Sequence, residues 1–139
     1  MKKLFIIIVL FSLFTKSNAQ SGIKFFSGTL KEAFAKAKAE KKGVFFDAYA
    51  VWCGPCKAME ATVFSDSTVG KYFNENFISI RVDMEKGEGP ELAKIFPSIN
   101  GYPSMIFMDS RGNVIKTLLG SRFKDELLGE AMLVRIKGD

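Results

Sequence analysis

Val44-Phe45-Phe46-Asp47-Ala48-Tyr49-Ala50-Val51-Trp52-Cys53-Gly54-Pro55-Cys56-Lys57 is the stretch on which the fold turns. Its first half, Val44 to Tyr49, is apolar except for Asp47 and reads as a buried strand. Its second half begins a helix over Trp52 to Met59, with Pro55 in the first turn, where a missing N–H does no harm. The junction holds the chain's only two cysteines. Two thiols at that spacing close a small disulfide ring and exchange electrons with a partner's disulfide, so the pair reads as a redox-active dithiol. The same spacing serves as half of a zinc site, but zinc needs four ligands, usually Cys or His. With no histidine and no third cysteine, a tetrahedral Cys/His site within one chain is excluded. A purely structural Cys53–Cys56 bridge would close too short a loop to stabilise much by chain entropy.

Working outward, Thr29 and Glu32 form a T-x-x-E capping box. Leu30, Ala33, Phe34 and Ala37 follow at helical spacing, and Lys41-Lys42-Gly43 ends that helix before the strand. Asp66 is a good N-cap for a further helix with Val69, Tyr72 and Phe73 on one face. Phe77 to Val82 alternates as a second strand, with Ile78, Ile80 and Val82 on one side. Gly89-Pro90 begins a short helix through Phe96. The last third changes period: Ser104 to Met108 is a strand, Asp109-Ser110-Arg111-Gly112 a turn, and Val114 to Leu118 the returning strand of a hairpin. Ser121 is the expected cap of a terminal helix in which Phe123, Leu127, Leu128 and Ala131 keep helical spacing. Strand–helix alternation closed by a hairpin and a helix predicts an α/β fold with a mixed sheet covered on both faces.

The ends constrain the setting. Lys2 and Lys3, the apolar run Leu4 to Phe14 broken only by Ser12, and Ser17-Asn18-Ala19 have the order of a secretory signal peptide. The run is shorter than the roughly 20 residues a spanning helix needs. Residues 1–19 are therefore expected to be removed, leaving one domain over 20–139, exported to a periplasmic or other extracytoplasmic compartment where disulfide chemistry operates. Lys2, Lys3 and Lys16 carry three of the formal +5 charges. What remains, about +2, is no nucleic-acid footprint, which needs clustered Lys and Arg. The mature domain is expected to be monomeric, with no stable membrane insertion.

Several separated places carry a resemblance. Asp47 precedes Cys53 by six residues, Trp52 to Lys57 forms one uninterrupted motif, Gly101-Tyr102-Pro103-Ser104 sits just before the third strand, and Gly120 follows the last. In that order and spacing they resemble the thioredoxin fold, with its buried acid, active-site signature and cis-proline. The run Cys56-Lys57-Ala58-Met59-Glu60-Ala61-Thr62-Val63-Phe64-Ser65-Asp66 is similar to the C-terminal extracytoplasmic domain of transmembrane thiol:disulfide interchange reductases. It is also similar to small stand-alone exported thioredoxins with the same break after the active-site helix. Two departures stand out: Ser79 occupies the place expected for the lysine many thioredoxins set near the buried acid, and Tyr102 replaces a usual isoleucine.

The resemblance implies a role for each candidate. Cys53 is the expected nucleophile, favoured as thiolate by the helix N-terminus, which lowers such thiols from about 8.5 to roughly 7 or below. Cys56 is the expected resolving thiol, and Gly54 and Pro55 form the active-site loop between the two. Asp47, in an apolar strand, is expected to be buried with a raised pKa and to move the Cys56 proton. Glu60 lies seven residues after Cys53, on the same helical face, and is expected to modulate the thiols. Trp52, Tyr102 and a cis Pro103 are the expected substrate surface, the Tyr102 backbone pairing with an extended segment. No cofactor beyond the dithiol, and no metal, is expected. The expected function is reduction of protein disulfides, with disulfide-containing proteins as substrates and a membrane thiol reductant as electron donor. An oxidase or isomerase, and a peptide- or Cu(I)-binding module, are the alternatives.

Overall fold

A computed structural model describes residues 21–134 of the chain; the signal-peptide reading over residues 1–19 lies outside them. The elements run α1 (Leu30–Glu40), β1 (Gly43–Tyr49), α2 (Gly54–Met59), a π-helical segment (Glu60–Phe64), α3 (Ser67–Asn76), β2 (Phe77–Asp83), α4 (Gly89–Ile95), β3 (Ser104–Met108), β4 (Val114–Leu119) and α5 (Lys124–Leu133). Strand order is β2-β1-β3-β4, with β1 and β2 parallel and the other pairs antiparallel. The parallel pair needs a crossover, and α2 to α3 supplies it.

Alternation along the strands assigns the layers. Val44, Phe46, Ala48, Ile78, Ile80 and Val82 face Leu30, Ala33 and Ala37 of α1 and Leu92 of α4. Phe45, Phe77, Phe107 and Leu118 face the other way, onto Met59, Val63, Val69, Phe73, Leu127 and Ala131. The second layer is built on aromatic edges: Phe45 and Phe73 rings lie 4.8 Å apart, and Phe77 and Phe107 rings 5.3 Å. Asp47, two residues on from Phe45, shares this face and is fully buried. No helix among the described residues is long and apolar enough to cross a membrane.

The local signals act as their chemistry dictates. The Thr29 hydroxyl accepts the Glu32 N–H at 3.2 Å, and the Glu32 carboxylate accepts the Thr29 N–H at 2.7 Å. Thr29→Ala is expected to cost about 1 kcal/mol in urea unfolding, the size of a lost helix cap, with activity retained. Asp66 accepts the N–H groups of Thr68 and Val69. At the last helix the expectation fails. The cap position is Phe123, not Ser121, and its N–H is taken by Glu126 at 2.9 Å. A residue at a cap has extended backbone and leaves the helical face, so Phe123 projects into solvent, 80% exposed, instead of joining Leu127 and Ala131 in the core.

One segment has no counterpart in the sequence reading. Phe25 forms a parallel bridge to Ser79 beyond the β2 edge, and the Ile23 N–H donates to the Phe64 carbonyl at 2.7 Å. The segment thus clasps the end of the π-helical turn to the sheet. Gly70 permits the approach, because a Cβ there would stand 2.1 Å from the Gly22 carbonyl oxygen.

Candidate active site

Cys53 and Cys56 form a disulfide, with Cα atoms 5.3 Å apart. Cys53 is the N-cap of α2, and its sulfur accepts the Cys56 N–H at 3.2 Å. That donor is one of the N–H groups a helix start leaves unpaired, so the same geometry favours negative charge on the Cys53 sulfur when the bond opens. Gly54 and Pro55 form the exposed first turn between the two sulfurs. Both cysteines are almost wholly covered by Ala50 and by the rings of Tyr49 and Tyr102.

The rim is aromatic. Trp52 is 63% exposed, and its ring meets that of Tyr102 edge-on at 5.9 Å. The Trp52 indole N–H donates to Glu85 at 2.9 Å, fixing the ring from the loop after β2. The Tyr102–Pro103 peptide bond is cis. The Pro103 carbonyl accepts the Gly120 N–H at 2.8 Å, which ties the segment to the end of β4, where Gly120 takes a positive φ.

The acid is buried on β1, on the sheet face that carries Phe45. Burial is the first cause acting on Asp47 and pushes its pKa up from 3.8; Arg81 opposes it by charge and hydrogen bond, Glu60 adds a smaller upward push, and the result is about 6. The Arg81 Nε–H donates to Asp47 Oδ2 at 2.8 Å. Asp47 Oδ1 is buried with no hydrogen-bond partner among the described residues.

Arg81 is the site residue that sequence reasoning missed: it supplies a cation to the acid where Ser79 replaces the family's lysine. The β1–β2 register sets Asp47 opposite Arg81 and Phe45 opposite Ser79. Ser79 is one step up the same face, buried, its hydroxyl unpartnered among the described residues. The available signal was that Ser79 and Arg81 share one face of an alternating strand; which of them meets Asp47 depends on register. The Glu60 carboxylate engages Arg81 Nη1 at 2.9 Å, so it meets the acid's partner. The Arg81 guanidinium lies over the Tyr49 ring, 4.4 Å from its centre. Burial works against the Arg81 charge, but Asp47 and Glu60 more than offset it and raise its pKa. Cys56, Lys57, Glu60, Arg81 and Tyr49 line a cleft of about 250 Å3 on this side of α2.

With this geometry in place, the likenesses to known proteins become specific. The model of the family Thioredox_DsbH, described as a protein of unknown function, DUF255, matches residues 9–118. A thiol:disulfide interchange protein DsbD of Yersinia pestis is 36% identical over 90 residues, which is 64% of this chain and 15% of that protein. The chain therefore spans only a small part of the curated relatives it matches. The solution structure of a candidate disulphide-isomerase from Bacteroides thetaiotaomicron is 42% identical, covering 81% of this chain and 93% of that one, with a TM-score of 0.72. The oxidised C-terminal domain of DsbD from Neisseria meningitidis is 26% identical, covering 81% of this chain and 99% of that domain, with a TM-score of 0.63. A dithiol bridged at a helix start, an acid buried in β1 and a cis-proline just before β3, on this sheet order, agree with that company. The chain belongs to the Thioredox_DsbH family and is a thioredoxin-fold, thiol-disulfide-oxidoreductase-like protein similar to the C-terminal domain of DsbD.

Proposed function

We propose that the protein is an exported reductase of protein disulfides. The observation that carries this is the single disulfide closed at the N-terminus of α2, on the sheet face that holds the buried Asp47. In the reduced protein, Cys53 as thiolate attacks one sulfur of a substrate disulfide. A Cys53–substrate bond forms, and the substrate's other sulfur leaves with the electron pair and takes a proton from water. Asp47, ionised at neutral pH with a pKa of about 6, then accepts the Cys56 proton. The Cys56 thiolate attacks Cys53, the ring disulfide closes, and the second substrate sulfur is released as a thiolate. The substrate gains two electrons and the protein loses two.

Trp52, Tyr102 and the backbone before Pro103 form the surface on which an extended substrate segment lies, and Glu60 tunes the site through Arg81. The Gly-Pro dipeptide and the buried acid favour the reducing direction. The basic and apolar N-terminal segment supports export, and a membrane-embedded thiol reductant is the natural electron donor in an oxidising compartment. Equilibration of the Cys53/Cys56 couple with a thiol buffer of known poise tests the direction. A potential near about −270 mV is expected; one towards about −120 mV makes the protein an oxidant, and the absence of a reversible couple ends the enzymatic reading.

A further inference from the structure

We propose that Arg81 is the positioning residue of the resolving step, holding Asp47 by one carboxylate oxygen so that the other is free to take the Cys56 proton. The inference rests on the dithiol exchange proposed above and assigns within it a residue that exchange does not itself require. Three observations carry it. The Arg81 Nε–H occupies Asp47 Oδ2 at 2.8 Å, while Oδ1, fully buried, has no partner among the described residues. A buried carboxylate oxygen without a donor is costly, and such an orphan calls for an explanation. A proton acceptor needs that vacancy, because an oxygen already saturated with donors has little basicity left. The remaining observation is that Arg81 is itself fixed from several sides. Glu60 takes Nη1 at 2.9 Å, the Tyr49 ring lies under the guanidinium, and Phe25 and Phe64 flank it with ring centres at 5.5 and 5.6 Å.

The planar fork makes this arrangement possible. One guanidinium presents separate N–H groups to two carboxylates, which a lysine ammonium on a flexible stem does not do with fixed geometry. Glu60, on the solvent side, draws on the same cation and limits how far Arg81 stabilises the Asp47 charge. The charged groups acting on Asp47 are therefore Arg81 from β2 and Glu60 from the π-helical segment, and its partner on β3 is the uncharged Met105; Cys56, from α2, lines the cleft with Glu60 and Arg81. Lys57 and Tyr49 line the same cleft.

The test separates attack from resolution. The reduced full chain is mixed with 5,5′-dithiobis(2-nitrobenzoate) in a stopped-flow instrument between pH 5 and 9. The first equivalent of coloured thiol reports Cys53 attack, and the second reports Cys56 resolution. In Arg81→Met the midpoint of the second phase is expected to rise by about one pH unit or more, with the second phase at pH 7 slowed about twofold or more and the first phase little changed. Arg81→Lys, which keeps charge but not the fork, is expected to recover part of that rise. Arg81→Met in an Asp47→Asn background is expected to move the midpoint no further. A purely structural Arg81 would slow both phases without moving the midpoint. An unmoved midpoint in either folded Arg81 variant, or a full rise persisting without Asp47, overturns the proposal while leaving the dithiol exchange standing. Absence of a second release from the unmodified protein overturns the exchange itself, and this inference with it.

Discussion

Cys56→Ser protein, reduced and mixed with a disulfide-containing protein, is expected to accumulate as a covalent adduct through Cys53, whereas Cys53→Ser forms none. Turnover falls to the uncatalysed background in both, but for different reasons. Cys53 is the sulfur that receives the Cys56 N–H at 3.2 Å at the cap of α2, so it is the one stabilised as a thiolate when the ring opens. Cys56 lies one turn deeper, beside the cleft shared with Glu60 and Arg81. Without Cys56 the mixed disulfide has no internal thiol to resolve it and persists until an external thiol arrives. Non-reducing electrophoresis followed by peptide mapping reads the result directly. An adduct forming through Cys56 in Cys53→Ser, at a rate matching Cys56→Ser, would reverse the assignment of the two sulfurs.

The success and failure of the sequence reading divide along one physical line. Local chemistry was legible. The Thr29–Glu32 box, the Asp66 cap, the strand around Asp47 and the helix start at Cys53 depend on neighbours a few residues away, and all are found where expected. The cis peptide before Pro103 is also found, although a single X-Pro spacing does not specify it and the likeness to a family did. What escaped depends on partners distant in the chain. Alternation in Phe77 to Val82 places Ser79 and Arg81 on the acid's face, but a parallel pair linked through two helices carries no turn to fix its register. The sequence reading noted Ser79 in the place of the family's lysine and did not single out Arg81 as the cation that meets Asp47. The Phe25 bridge is a single backbone pairing with no periodic pattern behind it. The π-helical turn at Glu60–Phe64 differs from an ordinary helix by one residue's displacement, which hydrophobic spacing over five residues does not resolve. Phe123 was misplaced for a related reason: helical spacing from Leu127 extends to it, yet the Glu126 carboxylate ends the helix there by taking its N–H.

Asp47→Asn is expected to make the disulfide form of the protein more stable at neutral pH while slowing the resolving step by about a hundredfold. The sign follows from the acid's pKa, raised from 3.8 to about 6 by burial against the opposing pull of Arg81. The folded protein binds this proton more tightly than the unfolded chain does. The resulting stability is fully present below about pH 4 and is lost as pH rises through about 6. Above pH 6 the ionised group weighs against folding by about 3 kcal/mol, since each pH unit separating the folded from the unfolded pKa corresponds to about 1.4 kcal/mol. Asparagine keeps an oxygen to accept the Arg81 Nε–H but never has to ionise. Urea unfolding of the two proteins is therefore expected to agree near pH 4 and to diverge towards pH 8, with the variant about 3 kcal/mol ahead and melting about 10 °C higher. A difference that stays flat from pH 4 to pH 8 would show that Asp47 does not titrate in this range, and would remove it as the proton acceptor for Cys56. The opposed effects on stability and rate belong together. A carboxyl placed where it resists ionisation weakens the fold, and that same resistance sets its proton affinity in the range where it exchanges protons with a thiol at neutral pH.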